Sequence, residues 1–245
     1  LAKPLDGIKD QIIVRGDGSP VFHLANVLDD IEQNITHIIR GDDHVENTYR
    51  HILLFHALGK VAPMYAHLPM IVNQSGKPYS KRDGDAFVGD FRSKGFLPQA
   101  LFNYLTLLGW SPGDDREKMD KAELIAAFTL ERVKSAPAQF DINKLLNMNG
   151  AYIAELPFAE FLKLAEMYAP ELSAHGKFAA VAKLMQSRTK ALSQVASWQY
   201  FFGETLEYDD KNCRKQLLKP EVRDDLKYLA ERFAAQSDWE LSAID

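Results

Sequence analysis

Residues 70–85 read MIVNQSGKPYSKRDGD: an apolar start, a turn of small polar residues, then a Ser80-Lys81-Arg82 triplet. Gly76 permits a tight backbone turn, Lys77 and Lys81 supply point cations, and Arg82 supplies a planar fork matched to phosphate oxygens. An apolar strand running into such a loop suits a nucleotide phosphate. The other reading of the triplet alone is a solvated basic hairpin, and the flanking sequence has to decide between them.

Upstream, strand and helix patterns alternate. Ile12-Ile13-Val14 is a β-branched run ended by the turn cluster Gly16-Asp17-Gly18-Ser19-Pro20. In VFHLANVLDDIEQ, Phe22, Leu24 or Ala25, Leu28 and Ile31 recur at helical spacing. ITHIIR, residues 35–40, is a second strand, broken at Gly41-Asp42-Asp43 into a helix carrying Val45, Tyr49, Ile52, Leu53 and Leu58, with Gly59 as its stop. Residues 70–72 supply a third strand. Such alternation predicts an α/β region with a parallel, doubly wound sheet over the first 85 residues, whose ligands sit beyond the carboxyl ends of strands. Arg40, Asp42, Asp43 and His44 fall at one such end.

Downstream of residue 86 the pattern is all-α, with little sign of strand. AFVGDFRSKG ends in a glycine stop, LPQALFNYLTLLGW opens on Pro98, and MDKAELIAAF carries Asp120 and Glu123 at capping-box spacing. DINKLLNMN is a short helix closed by Gly150, and further helices are expected over 157–168, 176–201 and 220–235. The stripe Phe96, Leu101, Phe102, Leu105 and Leu108 reads as core packing.

Six of the seven histidines lie between positions 23 and 67, yet His44, His51 and His56 fall on different faces of one helix and no His-Glu-x-x-His is present. No metal site, and no protein-bound zinc, is expected. His37 inside a strand reads as packed, and His44 as either a helix cap or a ligand contact. The single cysteine, Cys213, excludes an internal disulfide and a cysteine-built zinc cage, and predicts a reducing, cytoplasmic setting. No apolar run approaches the roughly 20 residues that cross a bilayer, so no membrane partner is expected. A net charge of -5 argues against binding nucleic acid through charge over the whole surface, leaving local basic faces at Lys183, Arg188 and Lys190 and at Lys211, Arg214, Lys215 and Lys219.

Four segments, RGDGSPVFHLANVLDD, ITHIIRGDDHVENTYRHILLFHALG, AHLPMIVNQSGKPYSKRDGD and GFLPQALFNYLTLLGWSPGDDRE, resemble bacterial glutamyl-tRNA synthetases in the same order and at similar spacings. The Ser80-Lys81-Arg82 loop resembles the signature loop of class I aminoacyl-tRNA synthetases, usually written Lys-Met-Ser-Lys-Ser. Helices after that loop distinguish the glutamyl branch from the glutaminyl one, which is expected to turn to β-barrels there. The resemblance implies the second half of a Rossmann-like nucleotide-binding domain over 1–85, a helical stem-contact domain over 86–152, and the first part of a helical anticodon-binding domain over 153–245.

It also implies the chemistry: ATP, with Mg2+, activates L-glutamate as an adenylate, and the acyl group passes to the 3′ end of a glutamate-specific tRNA. By the same resemblance Lys81 contacts ATP phosphates, with Ser80 and Arg82 shaping the loop and Lys77 beside it. Arg40 pairs with the glutamate side-chain carboxylate, for which a guanidinium fork is suited; without the resemblance it reads as an ion pair to Asp42 or Asp43. Asn26 and Phe22 lie on the helix facing that pocket, and Asp43 and His44 lie near substrate and adenine.

The sequence departs from the family pattern where Pro78 replaces the loop's first lysine and Phe22 replaces a common tyrosine. The family's His-Ile-Gly-His motif is absent from these residues. The expectation is therefore a monomeric C-terminal fragment, inactive alone, of a glutamate-tRNA ligase; the alternative is a non-catalytic tRNA-binding module derived from one. Leu1 at the start, and a helix opening at Ser237-Asp238 with Trp239, Glu240 and Leu241 just before the end, favour the excised fragment.

Overall fold

The computed structural model describes residues 2–80, 82, 84, 87–203 and 209–237; Lys81 and the expected turn at 238–241 lie outside them. The chain divides into two compact units, residues 1–196 and 197–245.

In the first unit, α1 (Phe22–Glu32) precedes β1 (His37–Gly41), and a single turn at Asp42–His44 leads into α2 (Val45–Ala57). β2 (Met64–Leu68) then pairs parallel to β1, with His37 opposite Met64 and Arg40 opposite His67. Parallel neighbours need a crossover, and α2 provides it. Pro69 follows β2 and, lacking an N–H, cannot continue its ladder. β3 (Ile71–Val72) accordingly leaves that sheet and pairs with β4 (Ala138–Gln139). The expected third strand exists, but in a separate sheet, and β4 is a strand in a region read as helical.

The expected strand at 12–14 is only an isolated antiparallel bridge between Val14 and Pro20. Its turn follows so closely that Arg15 N donates to Ser19 O at 2.9 Å and the chain folds back on itself.

Helical faces are also rotated from expectation. In α1 Val27 is fully buried and Leu28 exposed; in α2 the buried residues are Thr48, His51, Leu54 and Phe55 rather than Tyr49 and Ile52. Val27, Leu54 and Phe55 form a small core with Ile13, Leu24, Ile31 and Ala62 against them. The inner face of α2 is half polar, which an apolar stripe cannot reveal. His37 is exposed, its Nδ1 beside Thr36 Oγ1 at 2.9 Å, and not packed: only alternate strand residues turn to the helices.

The helical part runs α3 (Val88–Ser93), α4 (Pro98–Leu107) and α5 (Lys121–Ala127), the last with the Asp120 and Glu123 capping box in place. α6 (Ile142–Glu155), α7 (Phe158–Tyr168), α8 (Pro170–Ser173) and α9 (Phe178–Met185) follow β4. Phe91, Phe96, Leu101, Tyr104, Phe140, Leu145 and Met148 make the main core here. Phe102 and Leu105 are not in it; they line an open apolar cavity of about 420 Å³ with Ile39 and Leu68.

Gly150 does not end its helix. It sits inside α6, where a Cβ would stand 3.3 Å from Lys190 Cγ and 3.4 Å from Lys190 Cα, so its role is close approach. The same contact breaks the helix expected over 176–201. Asn149 Nδ2 donates to Lys190 O at 2.6 Å and Leu192 N donates to Gly95 O at 3.1 Å, taking backbone groups that a continuous helix would use. The chain instead passes from α9 through a turn at Gln186–Arg188 into 3-10 turns at Leu192–Phe201.

In the second unit, α10 (Asp210–Asn212) leads through a wide turn at Cys213–Leu217 into α11 (Pro220–Ala235). Lys211, Arg214, Lys215 and Lys219 are all exposed. Among the described residues, no helix is long and apolar enough to cross a membrane.

Candidate active site

The α/β part places Arg40 at the carboxyl end of β1, two residues before the turn into α2. Residues opposite each other in a parallel pair share a face, so Ile38, Arg40, Tyr65 and His67 point the same way. The guanidinium carbon lies 5.4 Å from the Tyr65 ring centroid, and the Tyr65 and His67 rings stack at 6.4 Å with planes 6° apart. Arg40 Nη2 donates to Thr48 Oγ1 at 2.6 Å and to His44 O at 3.3 Å. Arg40 Nε is buried and has no partner among the described residues.

Among the described residues, no ion pair joins Arg40 to Asp42 or Asp43; the acid-paired reading of this arginine is not what the fold builds. A buried N–H without an acceptor is costly, even on a half-buried cation.

The surroundings are tuned by burial and by that charge. Burial raises Tyr65 to about 12 and also raises Asp30, while Arg40 opposes both shifts. Burial first, then Arg40, lowers His67. His51, fully buried, is pushed down to about 4, by burial and then by Arg40. Its Nε2 lies 3.0 Å from His23 Nδ1, and His23 is itself lowered by burial, Arg50 and Arg40. The pair therefore holds neutral rings at neutral pH.

Other expected residues gather loosely around this group. Phe22 is exposed and packs edge-on to His23 at 5.4 Å, with His51 at 6.1 Å. Asn26 is half-buried on α1. His44 stands at the start of α2, but its side chain caps nothing: its ring Nδ1 meets Asn47 Nδ2 at 3.1 Å and its Nε2 lies 3.8 Å from Asp43 Oδ2. Thr48, Tyr65, His67, His23 and His51 were missed. Tyr65 and His67, two apart in a short β-prone run, were the available signal.

The loop after β3 is a hairpin. Asn73 Oδ1 accepts from Ser75 N, Ser75 Oγ and Lys77 N at 2.8 to 3.0 Å, and Gly76 takes φ +76. Tyr79 N donates back to Ile71 O at 2.8 Å, and Pro78 bridges antiparallel to Val72. Lys77, Ser80 and Arg82 are exposed, with Arg82 N donating to Ser80 Oγ at 3.3 Å. No described contact joins this loop to Arg40, which belongs to the other sheet. Among the described residues, no three His, Cys, Asp or Glu side chains are placed to hold a metal.

Comparison with known proteins identifies the group. Residues 3–147 match the family described as tRNA synthetases class I (E and Q), catalytic domain, and residues 160–245 match an anticodon binding domain. Glutamate–tRNA ligase of Thermobifida fusca is 42% identical over 93% of this chain and 50% of its own length. That of Akkermansia muciniphila is 40% identical over 94% of this chain and 53% of its own. The crystal structure of a glutamate tRNA ligase from Elizabethkingia meningosepticum in complex with its amino acid superposes with a TM-score of 0.77 at 29% identity, over 95% of this chain and 50% of that one. The chain thus spans about half the length of the curated relatives it matches. Small parallel sheets followed by helices fit a partial Rossmann-like domain with a helical anticodon-binding region. Matched over more than half its length, the chain belongs to the class I tRNA synthetases of the glutamate and glutamine group.

Proposed function

We propose that this chain is the C-terminal part of a glutamate–tRNA ligase, working in the cytoplasm. Residues 1–85 carry the second half of its nucleotide-binding domain, 86–152 a stem-contact domain, and 153–245 the first part of an anticodon-binding domain. The observation that carries the reading is Arg40: a guanidinium held at a strand's carboxyl end, with Nε buried and unpartnered. A substrate carboxylate is the kind of acceptor that a guanidinium so placed takes in a charge-assisted bond. Asn26, Phe22 and Asp43 stand around that amino acid, and His44 towards the adenine.

ATP enters with Mg2+ as a substrate. A glutamate α-carboxylate oxygen bonds to the α-phosphorus while the α-phosphorus bond to the α–β bridging oxygen breaks, and pyrophosphate leaves carrying the bridging oxygen. The terminal ribose hydroxyl of tRNA then takes the acyl group and AMP departs. Lys81, with Ser80, Arg82 and Lys77, offsets the charge that develops on the phosphates. In the full-length enzyme, Arg40→Lys loses the fork and raises the glutamate KM strongly, with the ATP KM changed much less. Equal effects on both substrates would assign Arg40 a structural role instead.

A further inference from the structure

Thr48 is a buried polar residue on the inner face of α2, one turn after His44. Its hydroxyl has three partners: Arg40 Nη2 at 2.6 Å, His67 Nε2 at 2.8 Å and His44 O at 3.3 Å. A hydroxyl donates one proton and accepts two. The guanidinium can only donate and the carbonyl can only accept, so the imidazole decides the balance. With the proton on Nε2, His67 donates, Thr48 accepts twice and its own proton goes to His44 O; every capacity is used. With the proton on Nδ1, the single Thr48 proton faces two acceptors. An imidazolium would also donate from Nε2, but beside the Arg40 charge.

The remaining surfaces of the guanidinium are constrained too. Its carbon stands over the Tyr65 ring, 5.4 Å from the centroid, and that ring stacks on His67, so the residue that orients Thr48 also braces the ring beside Arg40. Nη2 is tied down and Nε is left over.

We propose that Thr48 and a neutral, Nε2-protonated His67 are positioning residues that lock the Arg40 guanidinium in one orientation for the substrate carboxylate. This rests on Arg40 being the carboxylate ligand. Both act through Arg40 by fixing the orientation of its guanidinium, and an arginine left to rotate would hold that orientation only part of the time.

Two measurements test it. Histidine side-chain 15N spectra of the 245-residue chain should show His67 protonated at Nε2 and bare at Nδ1 near neutral pH; the opposite tautomer overturns the proposal without any mutation. In the full-length enzyme, Thr48→Val removes the hydroxyl at nearly constant volume and should raise the glutamate KM by about tenfold, with the ATP KM within about twofold. Thr48→Ser, which restores the hydroxyl, should return the glutamate KM to within about threefold of the parent. His67→Phe keeps the stack but not the donor and should also raise the glutamate KM selectively. If Arg40→Lys raises the glutamate KM while Thr48→Val does not, this proposal alone fails. If Arg40→Lys leaves it unchanged, the assignment of Arg40 fails first. Parallel rises in both KM values for Thr48→Val would mark a merely structural threonine and overturn the positioning role.

Discussion

His51 makes the stability of the α/β part depend on pH in a calculable way. Its ring is wholly buried between α1 and α2, and burial, then Arg40, His23, His44 and Arg50, push it from 6.5 down to about 4. The unfolded chain takes a proton at His51 near the ordinary value, whereas the folded one takes it only near 4. Between those values the unfolded state binds more protons, so stability falls as pH drops through the window and is complete above it. Lowering the pH from about 7.5 to about 5 should remove about 2 kcal/mol, approaching about 3 kcal/mol near pH 4. His23 cannot relieve the loss, because a second proton would set two imidazolium rings 3.0 Å apart.

The assay is native-state hydrogen exchange of the α2 amides, comparing the parent with His51→Gln at each pH so that the chemical exchange rate cancels. Gln puts an amide donor near the Nε2 position and does not titrate in this range. The parent's protection should decline relative to His51→Gln by about 2 kcal/mol across that interval. Parallel profiles for the two proteins, or an NMR titration of His51 near 6.5, would refute the reasoning.

Three further outcomes are expected. Lys81→Ala in the full-length enzyme should lower kcat for adenylate formation by a factor of about 100 to 1,000, the cost of one well-placed charge in a preorganised site; a change within about threefold in single-turnover assays would reduce the triplet to a solvated turn. Asn149→Leu strands Leu97 N, which donates to Asn149 Oδ1 at 2.8 Å, and Lys190 O, so urea unfolding should show a loss of about 2 to 5 kcal/mol. Binding of tRNA by the 245-residue chain should weaken with salt with a logarithmic slope of about −3 to −4, set by the four exposed cations Lys211, Arg214, Lys215 and Lys219, and replacing all four by alanine should flatten it.

Much of the architecture was legible one segment at a time. The helix cap at Asp120, the glycine stop at Gly59 with φ +66, and the strand leading to Arg40 all depend on neighbours within a few residues, which sequence displays directly. Four motifs in register carried the family and pointed to Arg40. What the tertiary structure alone decided was pairing: β3 with β4 rather than with β1 and β2, the helix broken at Thr189 and Lys190 by Asn149, and the turning of Thr48 and His51 inward on α2. Apolar periodicity assumes that buried means hydrophobic. On α2 the inner face is half polar because Thr48 Oγ1 and His51 Nε2 meet Arg40, His67 and His23, partners 8, 19 and 28 residues distant, and only the fold brings them within hydrogen-bond reach.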